Sequence, residues 1–384
     1  MGLVVATLCL AALLLSVPLT WFMRWIGHRA GADDTAPLPG QIKAPTRKVP
    51  NTGGVAIFLS IALPLLAGVL AVRLLPDLLI SLAPAIRPHL PGLQDSSSGV
   101  LWFLATLTVM HLLGLVDDRR PLGPMLKLAI MLGAAGTLVF TTDSRLLTMA
   151  DSYVGGPWLS ILVTVLWVTI ISNAMNFMDN MDGLTGGVAA IAGSFFLAAA
   201  LVHQQWFIAA ALALLVGACV GFLTLNFPSR LAGPDSRASI FMGDGGSLVV
   251  GFTLAFLTVR TTFIPPSAAG APITNNWYGV LMPLLVLAVP LYDFTSVCII
   301  RLRAGRSPFV GDLNHLSHRL HRLGLSRRDA VLVIYGLTAI TSIGGVALGS
   351  LEPWQAVMVG GQTLLVLLIL ALFEARRLPP ATGG

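Results

Sequence analysis

Residues 157–203 read PWLSILVTVLWVTIISNAMNFMDNMDGLTGGVAAIAGSFFLAAALVH. Two apolar runs, 157–172 and 187–203, enclose a segment holding three asparagines, two aspartates and two glycines. Each run is of the length that crosses a hydrocarbon core about 30 Å thick as a helix. The chain therefore passes through a membrane, presents a dense set of polar groups on one side, and returns.

The same alternation extends in both directions. Further apolar runs lie at about 3–25, 53–75, 99–116, 125–141, 207–225, 247–263, 279–300, 331–349 and 354–374, for a total of eleven. With 55% hydrophobic and 10% charged residues among 384, a water-exposed globule has no means of covering its apolar surface. A β-barrel is also disfavoured, because its strands would alternate polar and apolar residues. The expected fold is all-α: a polytopic membrane protein of about eleven transmembrane helices, forming one integral-membrane domain over 1–384.

Orientation follows from the basic residues. The first run has no basic segment before it and is followed by Arg24 and Arg29, so it is expected to be retained, with its C-terminal end in the cytoplasm. Eleven crossings then place the N-terminus outside and the C-terminus inside. Of 23 Lys and Arg, this leaves only Arg73, Arg87, Arg145 and Arg260 outside. The main loops 27–52, 117–124, 173–186, 226–246 and 301–330 all fall on the cytoplasmic face. The net charge of +6 thus reflects topology and attraction to anionic membrane lipids. Nucleic acid is not an expected partner, since no soluble basic domain is present. Cys9, Cys219 and Cys298 sit inside apolar runs without metal-ligand spacing and read as core residues.

The polar clusters carry the chemistry. Asp117 and Asp118 end the run 99–116, where carboxylates oppose the helix dipole unless a cation or Lys127, Arg119 and Arg120 compensate. Adjacent carboxylates can share a hard cation or divide metal and proton handling. If the helix continues past Asn173, then Asn176, Asp179 and Asp182 recur every three residues, and one face presents two amides and two carboxylates. Asp244 lies in FMGDGGS at 241–247, where Ser247 can cap a helix and leave amide donors for an anion. His315, His318 and Arg319 share one face of a short helix and form a set suited to a diphosphate. Arg301, Arg303, Arg327 and Arg328 read as adhesion to anionic lipid. Lys48, in the first loop, either meets a phosphate or marks the cytoplasmic side. Asp293, within the run 279–300, reads as a structural polar group or part of a conduit.

Together, GLVDDRR at 114–120, NAMNFMDNMDGLTGG at 173–187, NF at 226–227, FMGDGGS at 241–247 and DLNHLSHRL at 312–320 resemble the polyprenyl-phosphate N-acetylhexosamine-1-phosphate transferases of bacterial envelope synthesis. The HLSHR form of the last motif is similar to the N-acetylglucosamine-1-phosphate branch. The phospho-N-acetylmuramoyl-pentapeptide branch has adjacent histidines there.

The resemblance implies transfer of N-acetylglucosamine 1-phosphate from UDP-N-acetylglucosamine to undecaprenyl phosphate at the cytoplasmic face of the bacterial inner membrane. Magnesium is the implied cofactor, with manganese a substitute; UMP is released, and a homodimer is compatible. It makes Asp117, Asp118, Asp179 and Asp182 catalytic, with Asp179, Asp118 and Asp182 on the metal. It assigns Lys48, Lys127, Asn173, Asn176, Asp244, His315, His318 and Arg319 to substrate. Two departures stand out: the longer segment 229–239, and Asn180 where many members have glycine.

Overall fold

A computed structural model describes residues 1–32, 48–227, 237–262, 276–348 and 351–377. The inserted segment 229–239 lies largely outside them. The described elements are α1 (Gly2–Ala30), α2 (Gly53–Leu74), α3 (Pro76–Leu82), α4 (Leu90–Arg119), α5 (Pro124–Thr142), α6 (Asp151–Val154), α7 (Trp158–Met178) and α8 (Leu184–Val202). They continue as α9 (Trp206–Asn226), α10 (Asp244–Thr262), α11 (Asn276–Val286), α12 (Ala288–Arg303), α13 (Leu316–Arg322), α14 (Arg327–Ala347) and α15 (Pro353–Arg377).

Among the described residues, nine helices are long and apolar enough to cross a membrane: α1, α2, α4, α5, α7, α8, α9, α14 and α15. The protein is an all-α, polytopic membrane protein. The two remaining apolar runs of the sequence fall on α10 and on the α11–α12 pair. That pair is broken at Leu287, and Pro290 has no N–H to donate to the carbonyl four residues earlier, so the ladder is interrupted there.

α10 explains why its own sequence is apolar nearly all round. It packs against α2, α4, α7, α8 and α9, and Leu248, Val249, Val250, Phe252 and Leu254 are fully buried. In a bilayer, helix association relies on close packing and interhelical hydrogen bonds, the latter worth about 0.6 kcal/mol each. Trp167 Nε1 donates to Thr258 Oγ1 at 3.0 Å between α7 and α10, and Ser16 Oγ donates to the Ala218 carbonyl at 2.8 Å between α1 and α9.

The helix ends sort into two sets. Arg73, at the C-terminal end of α2, donates to Ser97 at 2.7 Å. Arg145, after α5, pairs with Asp151 at 2.6 Å, and Arg260, at the end of α10, donates to Ser144 at 3.3 Å. The opposite ends of these same helices carry the polar clusters.

Candidate functional site

The N-termini of α5 and α10, the C-termini of α4, α7 and α12, and the segments before α2 and α13 converge on a cavity of about 1020 Å³. Its walls include Asn51, Asp117, Asp118, Lys127, Asn173, Asn176, Phe177, Asp179, Asp182, Asp244, His315 and His318. Every polar cluster of the sequence thus contributes to one chamber. One flank is apolar: Leu128 and Leu132 on α5, Leu166 and Ile170 on α7, and Phe294 and Leu302 on α12. Leu166, Ile170 and Leu302 are exposed along it, giving the chamber a side open toward the lipid-facing surface.

Lys127 sits at the centre of the acidic group. Its Nζ lies 2.9 Å from Asp117 Oδ2 and 3.4 Å from Asn176 Oδ1, and it also pairs with Asp244 Oδ2. Asp117 Oδ1 accepts from the Leu122 backbone N–H at 2.8 Å, which fixes the turn between α4 and α5. The ammonium therefore occupies the point where the carboxylates demand positive charge.

Asp118 is held differently. It accepts from the backbone N–H groups of Asp244 at 3.1 Å and Gly245 at 3.3 Å, so a protein carboxylate sits on the N-terminus of α10. The expectation that these amides stay available for a substrate anion, with Ser247 as cap, is corrected here. Ser247 lies inside α10; its Oγ accepts from Asn176 Nδ2 at 2.9 Å and donates to the Gly243 carbonyl at 3.2 Å. The backbones come this close because Gly114 on α4 and Gly54 on α2 lack side chains. A Cβ on Gly114 would strike the Asp244 carbonyl group, and one on Gly54 would lie 2.6 Å from Gly246 Cα.

α7 ends at Met178, so its face does not continue to Asp182 as the spacing predicts. The Asp179 N–H bonds to the Asn176 carbonyl at 3.2 Å, three residues back, and Gly183 then adopts φ 80°. Asn226 clamps this turn: its Oδ1 accepts from Gly183 N at 2.8 Å and its Nδ2 donates to the Ile240 carbonyl at 2.8 Å. Asp182 consequently faces the segment before α10, accepting from Ala238 N at 2.9 Å. Asn173 lines the wall but donates to the Thr169 carbonyl at 2.9 Å within its own helix. Desolvation, with Asp244, Asp118 and Asp182 nearby, pushes the Asp179 carboxyl up to about 8. A cation in the chamber would relieve that repulsion.

The histidine wall divides. His318 lines the cavity, and burial together with His315, Arg327 and Arg322 pushes its pKa down to about 4, which keeps it neutral near pH 7. His315 also faces the cavity, with Nδ1 2.9 Å from Asp293 Oδ2. Arg319 does not line the cavity. It is buried, bonding Glu374 Oε1 at 3.0 Å, Ser296 Oγ at 2.9 Å and the Asn314 carbonyl. A helical offset of four from His315 turns it into the interface of α13 with α12 and α15 instead of toward a ligand. Lys48 is exposed and outside the cavity wall, and the first loop supplies Asn51 in its place.

Lipid adhesion is not open to one of the four basic residues assigned to it, Arg301. Arg301 is buried, pairs with Asp312 at 3.1 Å and lies over the Phe177 ring, while Arg327 and Arg328 border the cavity. Arg303 is exposed, as that reading requires. Asn51, Phe177, Asn226, Asp293 and Arg301 are the positions sequence reasoning missed or misplaced. For Asp293 a signal existed, since an aspartate inside an apolar run needs a partner. Cys298, read as a core residue, stands on the cavity wall, and Cys9 and Cys219 are not disulfide-linked.

Residues 100–262 match the family described as Glycosyl transferase family 4. The chain is 31% identical to the decaprenyl-phosphate N-acetylglucosaminephosphotransferase of Mycolicibacterium smegmatis, over 97% of this chain and 88% of that protein. The chain belongs to the polyprenyl-phosphate N-acetylhexosamine-1-phosphate transferases. Within this transferase family it is also 28% identical to the probable undecaprenyl-phosphate N-acetylglucosaminyl 1-phosphate transferase of Bacillus subtilis, over 95% of this chain and 88% of that one. It is 30% identical to the undecaprenyl-phosphate alpha-N-acetylglucosaminyl 1-phosphate transferase of Escherichia coli K12, over 71% and 70%. The chamber is accordingly the candidate active site of a transferase: the matched residues 100–262 contain Asp117, Asp118, Lys127, Asn176, Asp179 and Asp244.

Proposed function

We infer that the protein transfers N-acetylglucosamine 1-phosphate from UDP-N-acetylglucosamine to undecaprenyl phosphate, releasing UMP and starting a cell-envelope glycan. The observation that carries this reading is the juxtaposition of Asp117, Asp118, Asp179, Asp244 and Lys127 with an apolar flank open to the lipid-facing surface. A polyprenyl phosphate fits such a junction, its chain along Leu132, Leu166 and Ile170 and its headgroup at the charged cluster.

Among the described residues no three His, Cys, Asp or Glu side chains already close around one point. The donor set nevertheless suits magnesium: Asp118, Asp179 and Asp244 are oxygen ligands, Lys127 pairs with Asp244 alone of the three, and Asp179 faces the other carboxylates. These three would hold the ion, with Asp182 across the turn. Bound there, magnesium would neutralise the diphosphate and ease departure of UMP. Asp117 and Lys127 orient the lipid phosphate, which is already ionised and needs alignment more than deprotonation. Asn176 orients the nucleotide or sugar. His318, neutral, offers a hydrogen bond without adding charge, and His315 addresses a phosphate oxygen.

The polar chamber is read as cytoplasmic, with eleven crossings completed by α10 and by α11–α12. The support is the distribution of Lys and Arg, with Arg73, Arg145 and Arg260 at the opposite helix ends. Purified protein offered equal amounts of labelled UDP-N-acetylglucosamine, UDP-N-acetylgalactosamine and UDP-N-acetylmuramoyl-pentapeptide should release UMP only with magnesium and polyprenyl phosphate. Mass measurement should find N-acetylglucosamine on the lipid. A muramoyl-pentapeptide lipid as the main product would overturn the donor assignment, and solute uptake without UMP release would overturn the reaction itself.

A further inference from the structure

Asp293 is 2% exposed in the second turn of α12, where a lone carboxylate is costly. Both of its oxygens are committed to the start of α13. Oδ1 accepts from the Leu316 backbone N–H at 2.5 Å, and Oδ2 lies 2.9 Å from His315 Nδ1. His315 is itself 6% exposed, and its ring stands edge-on to Phe177 at 6.0 Å and 87°. Two constraints, one at the backbone and one at the ring, therefore fix the imidazole. Its Nε2 has no hydrogen-bond partner among the described residues, and the side chain borders the cavity.

We propose that Asp293 is a positioning residue for the transfer reaction: it holds Nδ1–H of His315 so that Nε2–H is aimed at a phosphate oxygen of the sugar nucleotide. This rests on the reaction proposed above. An ionised carboxylate is an acceptor only, so the Asp293 contact requires a proton on Nδ1. A phosphate oxygen is likewise an acceptor, so the second contact requires a proton on Nε2. The bound imidazole then carries a positive charge, flanked by Asp293 on one side and the diphosphate on the other. This is the arrangement in which a buried charge is compensated at both ends and a charge-assisted bond is short and directional. A cap of α13 alone would need only the Leu316 contact; the second oxygen on the ring is what ties Asp293 to the cavity.

His315→Asn separates the two roles, because its amide can replace Nδ1 toward Asp293 but cannot reach where Nε2 reaches. In full-length protein, UMP release at varied UDP-N-acetylglucosamine should show a roughly ten- to hundredfold loss of kcat/KM for His315→Asn. The loss should fall on the KM of the nucleotide and not on that of the polyprenyl phosphate, with Tm unchanged. Asp293→Asn should show a similar loss, and the double variant should be no worse than His315→Asn alone. Multiplicative losses, or a wild-type nucleotide KM in His315→Asn, would reduce Asp293 to a helix cap. If Asp293→Asn does not fold, Asp293→Glu, which keeps the acceptor but displaces it by one methylene, takes its place: a nucleotide KM raised as in His315→Asn supports the positioning role, and a wild-type KM overturns it. Wild-type protein that releases no UMP from any donor would instead count against the reaction.

Discussion

Replacing Lys127 by Met tests whether the acidic cluster is built for a cation. Methionine keeps most of the volume and removes the charge. The ammonium now contacts Asp117, Asp244 and Asn176, and the three side chains of the ion cluster are 13% (Lys127), 17% (Asp117) and 32% (Asp244) accessible. Breaking a buried ion pair costs about 3–5 kcal/mol, and the partial exposure of Asp244 argues for the lower end. At roughly 2 °C per kcal/mol for a large domain, Tm in EDTA should fall by about 6 °C. Magnesium should restore most of it, since a ligand that binds only the folded state stabilises it by mass action, and the ion no longer competes with an ammonium. Wild-type protein should respond less to magnesium. Turnover should fall roughly ten- to hundredfold from loss of the charge-assisted contact to phosphate. Thermal unfolding in lipid nanodiscs with EDTA or magnesium, alongside UMP release, measures both. A wild-type Tm in EDTA, or a magnesium response no larger than that of the wild type, would refute the reasoning.

Gly114→Ala should abolish activity in protein that still inserts, because the new methyl displaces the Asp244 backbone and with it the bonds to Asp118; full turnover would show that this contact is dispensable. Asp179→Asn should remove magnesium-dependent turnover while raising Tm in EDTA, since it relieves the crowding that pushes this carboxyl up to about 8; a fall in Tm would point to a different partner. Arg319→Ala should lower stability by about 3–5 kcal/mol by stranding the buried Glu374, with the KM for the UDP-sugar unchanged, and a raised KM would return Arg319 to the cavity. In a cysteine-free background, single cysteines at the exposed positions 153 and 303 should be labelled from the outside and the inside respectively; labelling from the same side would end the proposed topology.

Composition and the length of the apolar runs were enough to determine an all-α membrane protein, because lipid leaves a continuous apolar segment few alternatives to a spanning helix. The motifs were equally legible, and with them the family, since DD, NxxNxxD and GDGG keep their residue types adjacent in the chain. Their placement was not. Whether Asp182 shares a face with Asp179 depends on where α7 ends, and that is set by the turn that Asn226 clamps from another helix. Which anion sits on the N-terminus of α10 depends on Gly54 and Gly114 admitting its backbone, a contact across 130 residues or more that no local spacing encodes. The partners of Arg319 and Asp293 were hidden for the same reason. A buried charge takes its function from the partner that compensates it, and Glu374 and His315 meet these two residues only when α12, α13 and α15 have packed together.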